Sequence, residues 1–305
     1  MLRVLKWLGI TLGSLVVLIV VALVIVYFVA GARINKTYAI EPKVVAVPTD
    51  PVSVERGKHL VDAVVGCKGC HGENLAGQVL LDDPVFGRLV PSNLTSGKGG
   101  IGGAYTDADF FRAIRDGVRS NGKPLLLMPS HLFAKVDGQD LAAVIAYVKS
   151  VPPVDNELPK STLGPIGRVL LVTGKAKDLL PVQIIDHAAP IPTAPRTGVT
   201  VEYGKYLATI CTACHGANLA GGQPSDPASP PAPNLTQGGD PGGWSGAGFI
   251  NTIRTGVTPE GHKLNPDFMP WETFKNMADD ELKAVWLYLR SVPPVRGAAH
   301  QSSMP

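Results

Sequence analysis

The pattern of hydrophobic and polar positions separates an apolar leader from two stretches of helical periodicity. From Leu8 to Ala30 no charged side chain interrupts a run of 23 residues. At about 1.5 Å per residue this run spans roughly 34 Å as a helix, enough for a hydrocarbon core of about 30 Å. Trp7 and Tyr27 stand near its two ends, where amphipathic rings favour the membrane interface. A secretory signal usually has a shorter apolar stretch, about 7–15 residues. The expectation is therefore an uncleaved transmembrane anchor, with Ala30-Gly31-Ala32 as a cleavage site the alternative. Arg3 and Lys6 precede the run and Arg33, Lys36 and Lys43 follow it, so the positive-inside bias does not orient it.

Further along, Leu141, Val144, Ile145 and Val148 follow the i, i+3, i+4, i+7 spacing of an amphipathic helix, and Leu282, Val285, Trp286 and Leu289 do the same. Asp137 and Asp140 open the first of these helices, and Asp279, Asp280 and Glu281 the second, as suits a helix N-terminus. A Val-Pro-Pro run stops each one. Short helical patterns at Glu55–Val61 and Glu202–Ala208 correspond to each other, and Gly57 and Gly204 within them would let each first helix approach the last closely.

The correspondence is general. Cys67-Lys-Gly-Cys70-His71 returns as Cys211-Thr-Ala-Cys214-His215, Asn74-Leu-Ala-Gly77 as Asn218-Leu-Ala-Gly221, and Pro91-Ser-Asn-Leu-Thr95 as Pro233-Asn-Leu-Thr236. Ile114-Arg-Asp-Gly-Val118 matches Ile253-Arg-Thr-Gly-Val257, Met128-Pro129 matches Met269-Pro270, and Val151-Pro-Pro-Val154 matches Val292-Pro-Pro-Val295. From Asn93 onward most pairs lie 139 or 141 residues apart, a duplicated domain and not a solenoid. The expected organisation is a cytoplasmic stub and anchor over 1–32, a juxtamembrane linker over 33–50, one domain over 51–154, a Pro-rich segment over 155–198, a second domain over 199–296 and a tail over 297–305. The middle segment is long for a bare linker. Its apolar run from Ile166 to Val172 predicts packing across the two domains, against the alternative of a swinging tether.

Composition adds two exclusions. With 45% hydrophobic and 17% charged residues among 305 the chain is not disordered. A net charge of +3 without a basic run or stripe speaks against a nucleic-acid partner. The four cysteines fall into two pairs, leaving none for a disulfide framework or a lone nucleophile.

Cys-x-x-Cys-His is the haem attachment signature. Two thiols separated by two residues reach the two vinyl groups of one porphyrin, and the adjacent His presents its imidazole to the iron. Cys67, Cys70 and His71 would hold one haem c, and Cys211, Cys214 and His215 a second. One zinc held by both pairs, or a thioredoxin-like redox pair, are the alternatives. Zinc ribbons usually bring such pairs much closer, and the βαβ context of a redox pair is missing. The repeat selects the second axial ligand. Met128 and Met269 match, 57 and 54 residues after their histidines, and each precedes a Pro that holds it extended.

Other histidines fail the same test. His59 matches Tyr206 and His131 matches Glu272, while His187, His262 and His300 lie in the linker, a loop and the tail. All are read as solvent or local-packing residues. Met277 matches Val136. Asn93 and Asn234 either bind a haem propionate, brace the ligand loop or simply form turns, and both open Asn-x-Thr sequons. Tyr105 and Trp244 either pack on a haem edge or belong to the core. Gly97-Lys-Gly-Gly-Ile-Gly102 fits a dinucleotide fingerprint, but neither a strand before it nor a helix after it is expected.

Each domain resembles a class I cytochrome c. The Asn-Leu-Thr loop, the Gly-Gly-x-Tyr/Trp turn, the Phe-x-x-x-Ile-Arg-x-Gly-Val helix and the closing Tyr-x-x-Ser-Val-Pro-Pro-Val resemble the multihaem cytochrome c subunits of membrane-bound alcohol and sugar dehydrogenases. The resemblance implies a mainly α fold for each cytochrome c domain. With the uncharged run and the repeat, the expected architecture is an N-terminal transmembrane helix followed by two tandem cytochrome c domains, where the resembled subunits usually carry three and no such leading span. It implies two covalent haem c groups, one iron ligated by His71 and Met128 and the other by His215 and Met269. It also implies haem domains on the periplasmic side of the cytoplasmic membrane, because haem is attached after export. The expected role is electron transfer from a periplasmic or membrane dehydrogenase to a cytochrome or terminal oxidase, with no catalytic residue. The rivals are a dihaem peroxidase or thiosulfate-oxidising enzyme, which needs one displaceable ligand, and a gas sensor.

Overall fold

The structure, a computed structural model, describes residues 2–41, 43, 45–224 and 229–295; His300 and the expected tail lie outside them. Helix α1 (Leu2–Ile34) runs beyond the uncharged stretch at both ends. Most of its apolar side chains are open, Leu8 at 63% and Leu18 at 66% exposure, whereas Ala30 near its end is fully buried.

The rest of the chain is mainly helical and built twice. In the first half come α2 (Pro51–His59), a π-helical turn over Leu60–Val64, and α3 (Cys67–His71). A hairpin of β1 (Leu81–Asp83) and β2 (Gly87–Leu89) leads to α4 (Asp107–Asp116), α5 (Ser130–Phe133) and α6 (Gly138–Ser150). After β3 (Thr162–Leu163), which joins β2 antiparallel, comes α7 (Pro165–Thr173). The second half holds α8 (Val201–Leu207), α9 (Thr212–His215), α10 (Gly246–Thr255), α11 (Trp271–Phe274) and α12 (Asp279–Ser291). The starts are written in the sequence. Asp50 caps α2 through Ser53 N–H, Asp137 caps α6 through Gln139 and Asp140 N–H, and Thr106 with Asp109 forms a capping box on α4.

In each half the first helix crosses the last at a glycine, as expected. A Cβ on Gly57 would lie 1.9 Å from the Ala143 carbonyl oxygen, and one on Gly204 1.9 Å from that of Ala284. No side chain fits there, so the helices meet backbone to backbone. One apolar core then runs through both halves, with Leu60, Phe111, Leu141 and Ile145 from the first and Leu207, Leu219, Leu282 and Val285 from the second.

The halves also meet through a polar seam in which equivalent residues exchange partners. Arg56 makes two hydrogen bonds of 3.0 Å to Asp140 within the first half. Tyr206 of the second half donates to the same carboxylate at 2.6 Å. Glu281, the counterpart of Asp140, accepts from Tyr203 of its own half at 3.3 Å and meets His59 of the first half at 2.8 Å. His59 thus serves packing, as expected, but the packing lies between the halves. Burial alone would raise the Glu281 carboxyl; the His59 and Ala278 hydrogen bonds and the Arg56 charge bring it below its ordinary value.

The apolar run of residues 166–172 does not bridge the halves. It forms α7, which lies against α1 and against β2 and β3. A second core gathers Ala30 of the anchor with Leu89, Val118, Leu163, Leu171 and Leu180. The reason is sequence distance: α7 follows β3 directly, and β3 is already paired to the first half. Residues after the uncharged run are used in the same way. Arg33 donates to the Leu171 carbonyl, Lys43 to that of Ala189, and Tyr38 N–H to that of Gly122. The positive charges at Arg33 and Lys43 are thus tied to backbone carbonyls of the segment between the two repeats.

Because the folded Glu281 carboxyl lies below its unfolded value near 4.5, its contribution is present above that pH and lost as pH falls through the lower folded value. Chemical denaturation across the acid range should show stability falling below about pH 4.5, with Glu281→Gln flattening that limb and lowering the plateau above it.

Candidate haem sites

Gly66, at φ +65°, turns the chain into α3, and Gly72, at φ +78°, ends it. That one and a half turns carries Cys67, Cys70 and His71. The three line an apolar cleft that is open to solvent on one side. Its wall is apolar, with Leu80, Leu94, Phe110, Leu141 and Val144 among the lining residues, and Met128 and Pro129 also line it.

His71 is 8% exposed, and its Nδ1–H donates to the Ser92 carbonyl at 2.8 Å. A carbonyl only accepts, so the proton sits on Nδ1 and the Nε2 lone pair is left available. Burial pushes the imidazole below its ordinary pKa, so the ring stays neutral. The second half repeats this arrangement. His215 is 6% exposed, donates from Nδ1 to the Pro233 carbonyl at 2.8 Å, and is likewise lowered by burial. Held, neutral imidazoles with a second hydrogen bond are what an iron ligand requires. With paired thiols beside each ring, the residues present fit covalently bound haem c.

The alternatives do not fit. Among the described residues no three His, Cys, Asp or Glu side chains converge to hold a metal ion, so the two Cys pairs do not form one zinc site. Burial, with Cys70 adjacent, pushes the Cys67 thiol up to about 12, and burial does the same to Cys211. A redox-active dithiol needs a lowered value.

The motif Asn-Leu-Ala-Gly turns the chain back over each His. Leu75 and Leu219 take φ of +58° and +59°, strained for a branched side chain, and both are 1% exposed. The strain persists because their carbonyls accept from Leu94 and Leu235 N–H, both at 2.8 Å, while Asn74 and Asn218 fold onto Ala76 and Ala220 N–H. The methionine loops are held alike. Ser130 N–H donates to the Met128 carbonyl and Trp271 N–H to that of Met269, both at 2.7 Å. Both side chains are partly buried against the core.

Asn93 resolves to a brace. Its Oδ1 accepts from the Thr95 N–H at 2.9 Å and hydroxyl at 2.8 Å, and its Nδ2 donates to the Val154 carbonyl at 2.8 Å. Asn234 does the same with Thr236 and Val295. Each clamp ties the loop beneath the histidine to the chain leaving the last helix. Asn93, 1% exposed, is spent on this clamp through both its polar atoms and is too buried to accept a glycan. Thr95 and Thr236 were missed as partners; their recurrence in both repeats was the available signal. Tyr105 lines the first cleft and packs edge-on against Phe110 of the core. Trp244 donates from its indole N–H to Glu260 at 2.8 Å. Gly97, Gly100 and Gly102 pack against the Val154, Thr95 and Leu94 backbone, filling the space a phosphate would need.

The remaining histidines stay apart from both sites. His187 bonds to Asp116 and to the Val182 carbonyl, and His262 lies in an exposed loop. His131, in α5, has a buried Nδ1 without a hydrogen-bond partner in the structure, and burial lowers its pKa.

Comparison with known proteins agrees with this geometry. A family model described as Cytochrome c matches residues 54–152 and again 201–293. The cytochrome c subunit of an alcohol dehydrogenase (quinone) from Gluconacetobacter polyoxogenes is 28% identical over 285 residues, covering 81% of this chain and 57% of that subunit. The fructose dehydrogenase cytochrome subunit of Gluconobacter japonicus is 28% identical, covering 81% and 56%. The chain thus spans a little over half the length of these relatives. A "Diheme cytochrome c-type" protein of Cereibacter sphaeroides is 27% identical over 307 residues, covering 90% of this chain and 97% of that protein.

Asn93→Ala removes the acceptor of the buried Thr95 N–H and one of the two donors to the Val154 carbonyl, so it should cost about 1–3 kcal/mol. Chemical denaturation of the holoprotein checks this, and Asn234→Ala should cost a similar amount.

Proposed function

The chain belongs to the cytochrome c family and carries two of its domains with two covalent haem c groups, and from that premise we propose that it is a membrane-anchored electron carrier serving a dehydrogenase. The observation that carries the reading is the matched pair of sites: a buried, oriented histidine and a Met-Pro in each half. In this reading His71 and Met128 ligate one iron and His215 and Met269 the other, within domains at 51–154 and 199–296.

Bound haem supplies a one-electron Fe(II)/Fe(III) couple, and a thioether ligand raises its potential. The residues of the chain do the rest. Cys67, Cys70, Cys211 and Cys214 fix the rings by thioether bonds. The Ser92 and Pro233 carbonyls hold the imidazoles in one tautomer and orientation. Met128 and Met269 would fill the second ligand position and so leave none for a substrate or gas. The apolar side chains lining the first cleft would surround the ring with few polar groups to reorient when the charge changes.

Relatives named as cytochrome subunits of alcohol and fructose dehydrogenases support a dehydrogenase as donor. The likeness over nearly the whole of a dihaem cytochrome supports a stand-alone carrier. The acceptor would be a soluble cytochrome or a terminal oxidase. Haem attachment after export places both domains on the periplasmic side, with α1 as a single span holding them to the cytoplasmic membrane.

Membranes containing the full chain should show both haems reduced on adding the dehydrogenase's substrate and reoxidised by an added soluble cytochrome. Membranes without it should lose most of that electron flow, and the purified protein should turn over neither peroxide nor thiosulfate. Peroxide or thiosulfate turnover would replace this reading with an enzymatic one. Met128→Ala and Met269→Ala should each open one iron to carbon monoxide, which the unaltered protein excludes, and lower one potential by part of the ~0.8 V range that axial ligands command. Carbon monoxide titration and redox titration read the two effects.

A further inference from the structure

The end of the anchor is covered by protein on one side only, and what covers it is unusually apolar. Arg168 of α7 places its guanidinium 4.3 Å from the centre of the Tyr27 ring and donates to the Tyr27 carbonyl at 3.2 Å. Arg33, in the last turn of α1, donates to the Leu171 carbonyl at 3.1 Å. Helix α7 is therefore fixed beside residues 27–33, where the uncharged run of α1 gives way to charge. In a bilayer that level is the boundary between acyl chains and headgroups.

At this level the first domain shows apolar side chains outward. Ile166, in the first turn of α7, is 49% exposed, and Val85, in the β1–β2 turn, is 48% exposed. The two are neighbours, Ile166 N–H donating to the Val85 carbonyl at 3.0 Å. Tyr27 and Phe28 on α1, at 57% and 69% exposure, are apolar and open at the end of the span that α7 lies against. Packing fixes the arrangement: a Cβ on Gly167 would lie 2.4 Å from the Phe86 carbonyl oxygen, so α7 cannot turn without breaking the hairpin contact.

We propose that the N-terminal turn of α7 and the β1–β2 turn rest in the interfacial layer of the membrane that α1 crosses, so that the first haem domain is seated on the bilayer and not tethered above it. The occupant is lipid because Arg168 and Arg33 hold α7 against α1 at the level where the uncharged run ends, which sets the exposed N-terminal turn of α7 beside the span. Seating would hold the first haem at a fixed height and leave the second domain farther along the chain from the surface. The proposal rests on α1 being an anchor.

Site-directed spin labelling tests it. Haem thioethers occupy all four native cysteines, so Ile166→Cys, Ile19→Cys and Leu287→Cys each introduce one reactive thiol into the full-length holoprotein. Labelled proteins are placed in phosphatidylcholine–phosphatidylglycerol vesicles with both haems reduced. Collision with oxygen, which concentrates in lipid, is compared with collision with a water-soluble nickel chelate. The ratio should be severalfold higher at 166 than at 287, and higher still at 19. A ratio at 166 equal to that at 287, with 19 reporting lipid, overturns the seating and leaves the anchor intact. A label at 166 shielded from both reagents overturns it in favour of a protein cover. A label at 19 reporting water removes the anchor reading and this inference together.

Discussion

A buried imidazole must show one nitrogen to a metal while its other nitrogen is satisfied by protein, and the architecture of each half follows from that need. The Nδ1–H of His71 is bonded to the Ser92 carbonyl, and that of His215 to the Pro233 carbonyl. For those carbonyls to stand under the rings, the chain after each haem motif must turn back sharply. Leu75 and Leu219 accept left-handed backbone to allow it. The returning loop must then be fixed, and the Asn93–Thr95–Val154 and Asn234–Thr236–Val295 clamps fix it to the exit of the last helix. That helix is positioned in turn by backbone contact with the first helix at Gly57 and Gly204. The chain of dependence closes on the metal site from both directions.

The two halves share a core and a polar seam. Their cores merge, and the seam of Arg56, His59, Asp140, Tyr203, Tyr206 and Glu281 pairs each carboxylate with donors from both halves. Burial and the Asp140 carboxylate push the Tyr206 hydroxyl far above its ordinary pKa, so it stays a donor at any ordinary pH. A carrier with two redox centres benefits from such a joint, because electron transfer between centres is steeply dependent on their separation. Helix α1 joins the first half by way of α7, Arg33 and the loop at Gly122.

Much of this was legible in the sequence because the repeat supplied its own control. Residues expected to serve the haem appear twice, as do those that shape each half, so a residue present in one half only drops out as a ligand. His59 against Tyr206 and His131 against Glu272 dropped out as ligands on that ground, and the structure places His59 in the seam instead. The glycine crossings were legible for the same reason. The path of residues 166–172 was not, because an apolar run states that it will be buried but not against what. Its partner was chosen by β3, two residues long and invisible to periodicity, which hands the chain to α1 before it can reach the second half. The clamp role of Asn93 was one of several readings, since an Asn before a Thr fits a turn, a brace or a sequon equally well until its acceptor, 61 residues away, is known.

The central claim is that both irons are held alike, by histidine and methionine, with no position left for substrate. A redox titration of the full-length protein, followed by its visible spectrum, tests it most directly. The account predicts two covalently bound low-spin haems, two one-electron steps, and the weak far-red band of methionine-to-iron charge transfer from both when oxidised. One high-spin haem, or one lacking that band, would contradict the paired assignment and turn attention to catalysis or sensing at that centre.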